Sequence, residues 1–239
     1  MIKSLKNTIL TRFFLILFLF TIPLSGQKNR NDITLGSWVI VSGTNRLSKR
    51  WSIPTVGILR HYDIFKSYEL SFFRSGFTYA VNPKLDVTLG YGYLDSDSYI
   101  NYKPGTRQHW LYQEFYIKSH ANGFPVSHRY RWETRWIEKA NNQEVNHRIR
   151  YRLRWIQSLN SYFYTNLFNE IFLSLQDPVF NQNRFHAGVG YVFSKNLKLE
   201  MGYLKNHFSK AHYDRLRIGI LFKTNFASKQ IVSTASGSN

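Results

Sequence analysis

The chain has no cysteine, two methionines, six prolines and only fourteen acids against thirty-two Lys and Arg in 239 residues. Each shortage excludes something. Without cysteine there is no disulfide scaffold, no thiolate metal site and no lipid-modified N-terminal cysteine. Past the first 26 residues no apolar run approaches the roughly 20 residues that a membrane-spanning helix needs. The scarcity of acids leaves a formal net charge of +18. That sign suits nucleic acid, anionic headgroups, acidic solutes or a basic channel, and does not choose among them.

The N-terminus narrows the choice. Lys3, Lys6 and Arg12 precede the apolar run Phe13 to Phe20, and small residues follow at Ser25 and Gly26. This reads as a secretory signal peptide over residues 1–26, cleaved near Gly26. Nucleic acid is then not an expected partner. Aromatic residues make up 17% of the chain, with sixteen Tyr and six Trp, which suits interfacial girdles better than an ordinary soluble core.

The most informative stretch is His147-Arg148-Ile149-Arg150-Tyr151-Arg152-Leu153-Arg154-Trp155. Arginine stands at every even position and a bulky apolar residue at every odd one from Ile149. In a strand, period two puts the arginines on one face and the rings and aliphatic chains on the other. Four like charges in a row repel, so counter-charges, water or an anionic ligand must compensate them.

The same alternation recurs in segments of ten to fourteen residues or so, predicting strands at 34–45, 50–61, 68–81, 85–95, 108–119, 126–138, 146–159, 162–176, 183–193, 197–208 and 213–226. Leu85, Val87, Leu89, Tyr91 and Tyr93 oppose Asp86, Thr88, Gly90 and Gly92. Tyr130, Trp132 and Trp136 oppose Arg129, Arg131, Glu133 and Arg135. Segments 108–119 and 162–176 are mixed on both faces and resist orientation. Connections at 82–84, 160–161 and 194–196 are tight, those at 96–107, 139–145 and 177–182 are expected to be longer, and 119–125 fits least well as a short one.

Lipid cannot satisfy open sheet edges, so a membrane sheet must close. A lipid-facing Arg near the midplane costs roughly 2–4 kcal/mol, which turns the arginine face inward. Glycines on that face are expected to leave room for long arginine side chains. A soluble β-protein would show the same alternation with its faces reversed. The predicted architecture is all-β: an antiparallel transmembrane β-barrel of 10–12 strands over 27–226, with a disordered tail at 227–239. Eleven strands raise a parity problem, because bacterial single-chain barrels usually have an even number. Either one segment is split or missed, or the first is not a wall strand.

Several motifs also resemble the DUF2490 family. They include Trp38 followed by Arg46-Leu47-Ser48-Lys49-Arg50-Trp51, the stretch from Gly76 to Tyr93, Ser127-His128-Arg129-Tyr130-Arg131-Trp132-Glu133, the Asn169-Glu170 pair, and Asn181 to Phe185 leading into Gly188-Val189-Gly190-Tyr191. The resemblance spans nearly the whole mature chain. It implies a β-barrel of unassigned function from Gram-negative bacteria, especially Bacteroidetes, and brings no catalytic residues.

The expected lumen cations are Arg129, Arg131, Arg135, Arg148, Arg150, Arg152, Arg154, Arg184, Arg215 and Arg217, with Glu114, Glu133, Glu170 and Glu200 as counter-charges. Two readings follow: a stacked salt-bridge interior that rigidifies the barrel, or an anion-attracting passage or pocket for small acidic solutes. The expected location is the bacterial outer membrane, as a monomer surrounded by lipid. No cofactor, metal or catalytic group is expected. Ser127 and His128 are adjacent in a strand, so they point to opposite faces. The histidines lack metal-motif spacing, and Asp95 and Asp97 read as a solvated loop. A barrel enzyme acting on lipid or peptide, and a receptor or assembly module binding through 96–107 and 139–145, are the alternatives.

Overall fold

The computed structural model describes residues 35–97, 105–121, 123–140, 142–209 and 211–227. They form eleven strands: β1 (Leu35–Arg46), β2 (Trp51–Asp63), β3 (Lys66–Asn82), β4 (Leu85–Ser96), β5 (Thr106–Ala121), β6 (Phe124–Lys139), β7 (Asn142–Ser158), β8 (Phe163–Ser174), β9 (Phe180–Val192), β10 (Leu197–His207) and β11 (His212–Asn225). Every expected strand is present, with its ends displaced by a few residues. The expected signal segment, most of the 96–107 loop and the tail from residue 228 onward lie outside the described residues.

Strands adjacent in sequence pair antiparallel, and the sheet closes by joining β1 to β11. That last pair is parallel, running in register from Leu35 opposite Asp214 to Arg46 opposite Asn225. The parity problem is thereby answered. The count stays odd, and the first segment is a wall strand. A parallel ladder satisfies the same backbone groups at slightly lower stability per residue, so closure does not require an even number.

The connections divide between two rims. One carries the β2–β3, β4–β5, β6–β7, β8–β9 and β10–β11 links, including the longest, and is called the loop rim. The other carries shorter links at 47–50, 83–84, 122–123, 159–162 and 193–196, and is the turn rim. Two expected connections are corrected. The loop at 139–145 shrinks to residues 140–141, because β7 extends back to Asn142 along its β6 partner. The awkward segment at 119–125 is a hairpin, with Gly123 taking the positive φ that a tight turn demands and Pro125 paired opposite His120.

Outward positions expose Phe77, Leu89, Trp132, Trp136, Val189 and Met201, whereas Arg129, Arg131, Glu133, Arg148 and Arg150 are buried inside. β5 turns Trp110, Tyr112 and Glu114 inward, and β8 does the same with Phe168, Glu170 and Phe172. Both segments look mixed in sequence because the lumen itself is mixed. Trp38 and Trp110 therefore depart from the expected outer girdle, being buried in the interior.

The glycines also need a correction. A Cβ at Gly190 would stand 2.1 Å from the Tyr164 ring, and one at Gly90 would stand 2.4 Å from that of Tyr112. These glycines make room chiefly for tyrosine rings from the neighbouring strand. At Gly36 a Cβ would first meet the backbone oxygens of His61 at 2.4 Å and Tyr62 at 2.6 Å, with the Arg215 guanidinium next at 2.7 Å.

An arginine-lined lumen as the candidate site

β6 and β7 supply the centre of the lumen. Their register sets Arg131 opposite Arg150 and Arg129 opposite Arg152, two like-charged pairs that attract nothing by themselves. Carboxylates from three strands relieve them. Glu133 accepts from Arg148 at 2.6 Å and Arg150 at 2.6 Å, with Arg131 at 3.5 Å. Glu170 accepts from Arg150 at 2.8 Å and from Arg129, with Arg184 at 3.8 Å. On β5, Glu114 is bonded to Arg131, while Arg74 and Arg129 each stand 3.8 Å away.

Nearer the turn rim, Glu200 accepts from Arg217 at 2.8 Å, Arg154 at 3.3 Å and the Tyr164 hydroxyl at 3.0 Å. Toward the loop rim, Glu69 joins Arg215 at 3.0 Å and Arg60. A register shift between Arg60 and His61 turns Glu69 inward. Such a bulge adds one residue to a strand and re-aims its side chains.

All ten expected arginines and all four expected glutamates therefore lie in one connected interior. Arg60, Arg74 and Glu69 belong to it as well and were not expected. A second unexpected layer is aromatic. The guanidinium of Arg150 lies 4.2 Å from the Phe172 ring centre, Arg184 lies 4.6 Å from Trp38, and Arg131 lies 4.8 Å from Tyr112. Cation–π contact and apolar packing hold these arginines in fixed stacks.

Twelve lumen arginines, the ten expected plus Arg60 and Arg74, thus face five glutamates, so cations remain over. Arg135 donates to the neutral Asn146, and Arg152 stacks on Phe168 at 5.5 Å with no carboxylate within ion-pair distance among the described residues. Buried donors are in surplus too: the Nε atoms of Arg129, Arg135 and Arg152 and Nε1 of Trp38 find no acceptor among the described residues. Buried donors without acceptors are costly, and an anion supplies several acceptors at once.

These groups surround a cavity of about 590 Å³ on the loop-rim side, and a second of about 650 Å³ lies on the turn-rim side. Ser42, Tyr116, Arg154 and Leu221 line both, marking the level at which the two chambers meet.

Of the groups weighed for catalysis, Ser127 is buried within, whereas His128 points outward to Ser119 and Tyr151, each at 3.0 Å. Asp95 pairs with Arg107 at 3.6 Å near the loop rim. No cluster able to hold a metal ion occurs among the described residues.

Fold and interior together define a closed all-β barrel with a cationic, arginine-stacked lumen. The chain belongs to the DUF2490 family, described as a protein of unknown function, whose family model matches residues 35–217. No curated protein and no solved structure matches it.

Proposed function

We propose that this protein is a monomeric bacterial outer-membrane barrel whose lumen draws in small anions and conducts them weakly along its arginine face. Closure supports the membrane reading, since a bilayer tolerates only sheets without free edges. The exposed apolar exterior supports it as well, with acyl chains as its natural solvent. The observation that carries the anion reading is the surplus of buried guanidinium donors over carboxylate acceptors, with Arg152 as its centre. Low-dielectric walls strengthen that positive field, and it favours carboxylate-, sulfate- or phosphate-bearing solutes over cations. The ion-pair web leaves chambers rather than a wide bore, so the passage is narrow. Planar-bilayer recording across a salt gradient tests this. A small current whose reversal potential favours anions is expected, and a cation-favouring one overturns the proposal.

The density of ion pairs at Glu133 and Glu170 favours a second reading, a closed and purely structural barrel. Complete absence of current from correctly folded protein would select it.

A further inference from the structure

The turn-rim chamber differs in chemistry from the centre of the barrel. Arg46, Lys198 and Lys223 line it from strands, and Lys49, Arg50 and Lys195 line it from turns. Its acids are Asp86 and Glu200, and both are engaged: Asp86 with Lys118 at 2.8 Å, and Glu200 with Arg154 and Arg217. None of those six cations has a carboxylate within 4 Å among the described residues. Arg50 donates to the Tyr79 hydroxyl at 2.9 Å, and Lys198 lies over the Tyr164 ring at 5.0 Å.

The sequence provides little else to neutralise them. Of the fourteen acidic side chains, only Asp32 lies outside the described residues. Most of the others gather at the loop rim or in the central web, leaving Asp86 as the acid of the turn rim. The Arg50 guanidinium turns to Tyr79 on the outer face, and the other five like charges around one cavity of about 650 Å³ repel; a multiply charged anion relieves that repulsion.

The kind of cation narrows the ligand. Planar guanidinium forks match carboxylates, and the central web uses them so. Here four of the five are lysines, compact point charges with rotatable donors, which suit oxyanions accepting from several directions. The volume falls within the range of sites for small molecules.

We infer that the turn-rim chamber is a binding site for a small solute bearing several phosphate-type charges. The site needs only the barrel fold and does not depend on ions passing through the lumen, so it goes beyond the proposed conduction.

The test is calorimetric titration of detergent-solubilised full-length protein with inorganic tripolyphosphate, beside citrate as a planar-carboxylate polyanion. Saturable binding at one site is expected, about tenfold or more tighter for tripolyphosphate. The K198Q/K223Q double variant should lose about tenfold or more in affinity, because charge-assisted hydrogen bonds are among the stronger ones. Lys84→Gln, on the same rim but outside the cavity, should bind like the parent. Heat-modifiable gel migration checks that each variant is folded. Absence of saturable binding, equal preference for citrate, or equal loss in Lys84→Gln would overturn the inference. A water-soluble short-chain phosphatidic acid serves as competitor; binding tighter than tripolyphosphate would reassign the site to a lipid headgroup and overturn the solute reading.

Discussion

Glu170 stands directly across the β7–β8 pair from Arg152, yet its carboxylate bonds to Arg150 and Arg129. Arg152 is left stacked on Phe168, its Nε without an acceptor among the described residues. Two arginines from one strand, two residues apart, thus do different things. Arg150 ties two glutamates together, and Arg152 offers free donors to the cavity.

Their substitution should separate accordingly. Arg152→Ser should leave the barrel folded and move the reversal potential toward zero. Arg150→Ser should destabilise it by about 1.5–3 kcal/mol, because Glu133 and Glu170 lose the charged donor they share while keeping Arg148 and Arg129. Bilayer recording and urea-dependent gel migration read the two effects. Selectivity unchanged in Arg152→Ser would rule out the role assigned to it.

Glu133 is fully buried and bonded to Arg148 and Arg150, with Arg131 close by. Glu133→Gln keeps the shape but removes the charge that holds three cations together. A loss of about 3–5 kcal/mol is expected, because buried guanidinium groups are left uncompensated. Wild-type resistance to urea in that variant would show that the web adds nothing to stability.

Leu89 is exposed on the outer face in the middle of β4. Leu89→Arg should cost roughly 2–4 kcal/mol if acyl chains surround it, and almost nothing if water does. Folding into lipid vesicles followed by urea titration distinguishes these outcomes, and a negligible cost would remove the membrane assignment.

At Gly190 any side chain meets the Tyr164 ring, whose hydroxyl donates to Glu200. Gly190→Val should displace that ring and cost about 1–3 kcal/mol by overpacking. Gly57, with open space around its Cβ position, is the matched control for thermal or urea melting.

The parallel seam is open to a direct check in a chain without native cysteine. Val39 and Ile218 are in register on neighbouring strands. Strand spacing of about 4.8 Å lies within the Cα range that disulfides accept. Val39→Cys with Ile218→Cys should cross-link on oxidation, whereas an even-stranded barrel that excludes β1 would leave the thiols free.

Period-two alternation made most strands legible, because a wall with apolar and polar sides has no other economical pattern. It placed Arg148, Arg150, Arg152 and Arg154 on one face, and the ten arginines proved to share one interior. What it missed lies where the lumen departs from simple polarity. Trp110, Phe168 and Phe172 face inward because arginine planes stack on them, so their strands show no clean apolar side. Glu69 escaped notice because a register shift, invisible to a fixed period, turns it inside. The Gly190 and Gly90 spacing did signal crowding, but the bulky neighbours were mostly rings from adjacent strands.

Since β1 and β11 run the same way, the polypeptide traverses the wall an odd number of times. The first strand starts at Leu35 on the loop rim, and the last ends at Asn225 on the turn rim. Seated in a bilayer, such a wall is a two-ended thread, and reporters placed beside Leu35 and beside Asn225 would sample separate compartments.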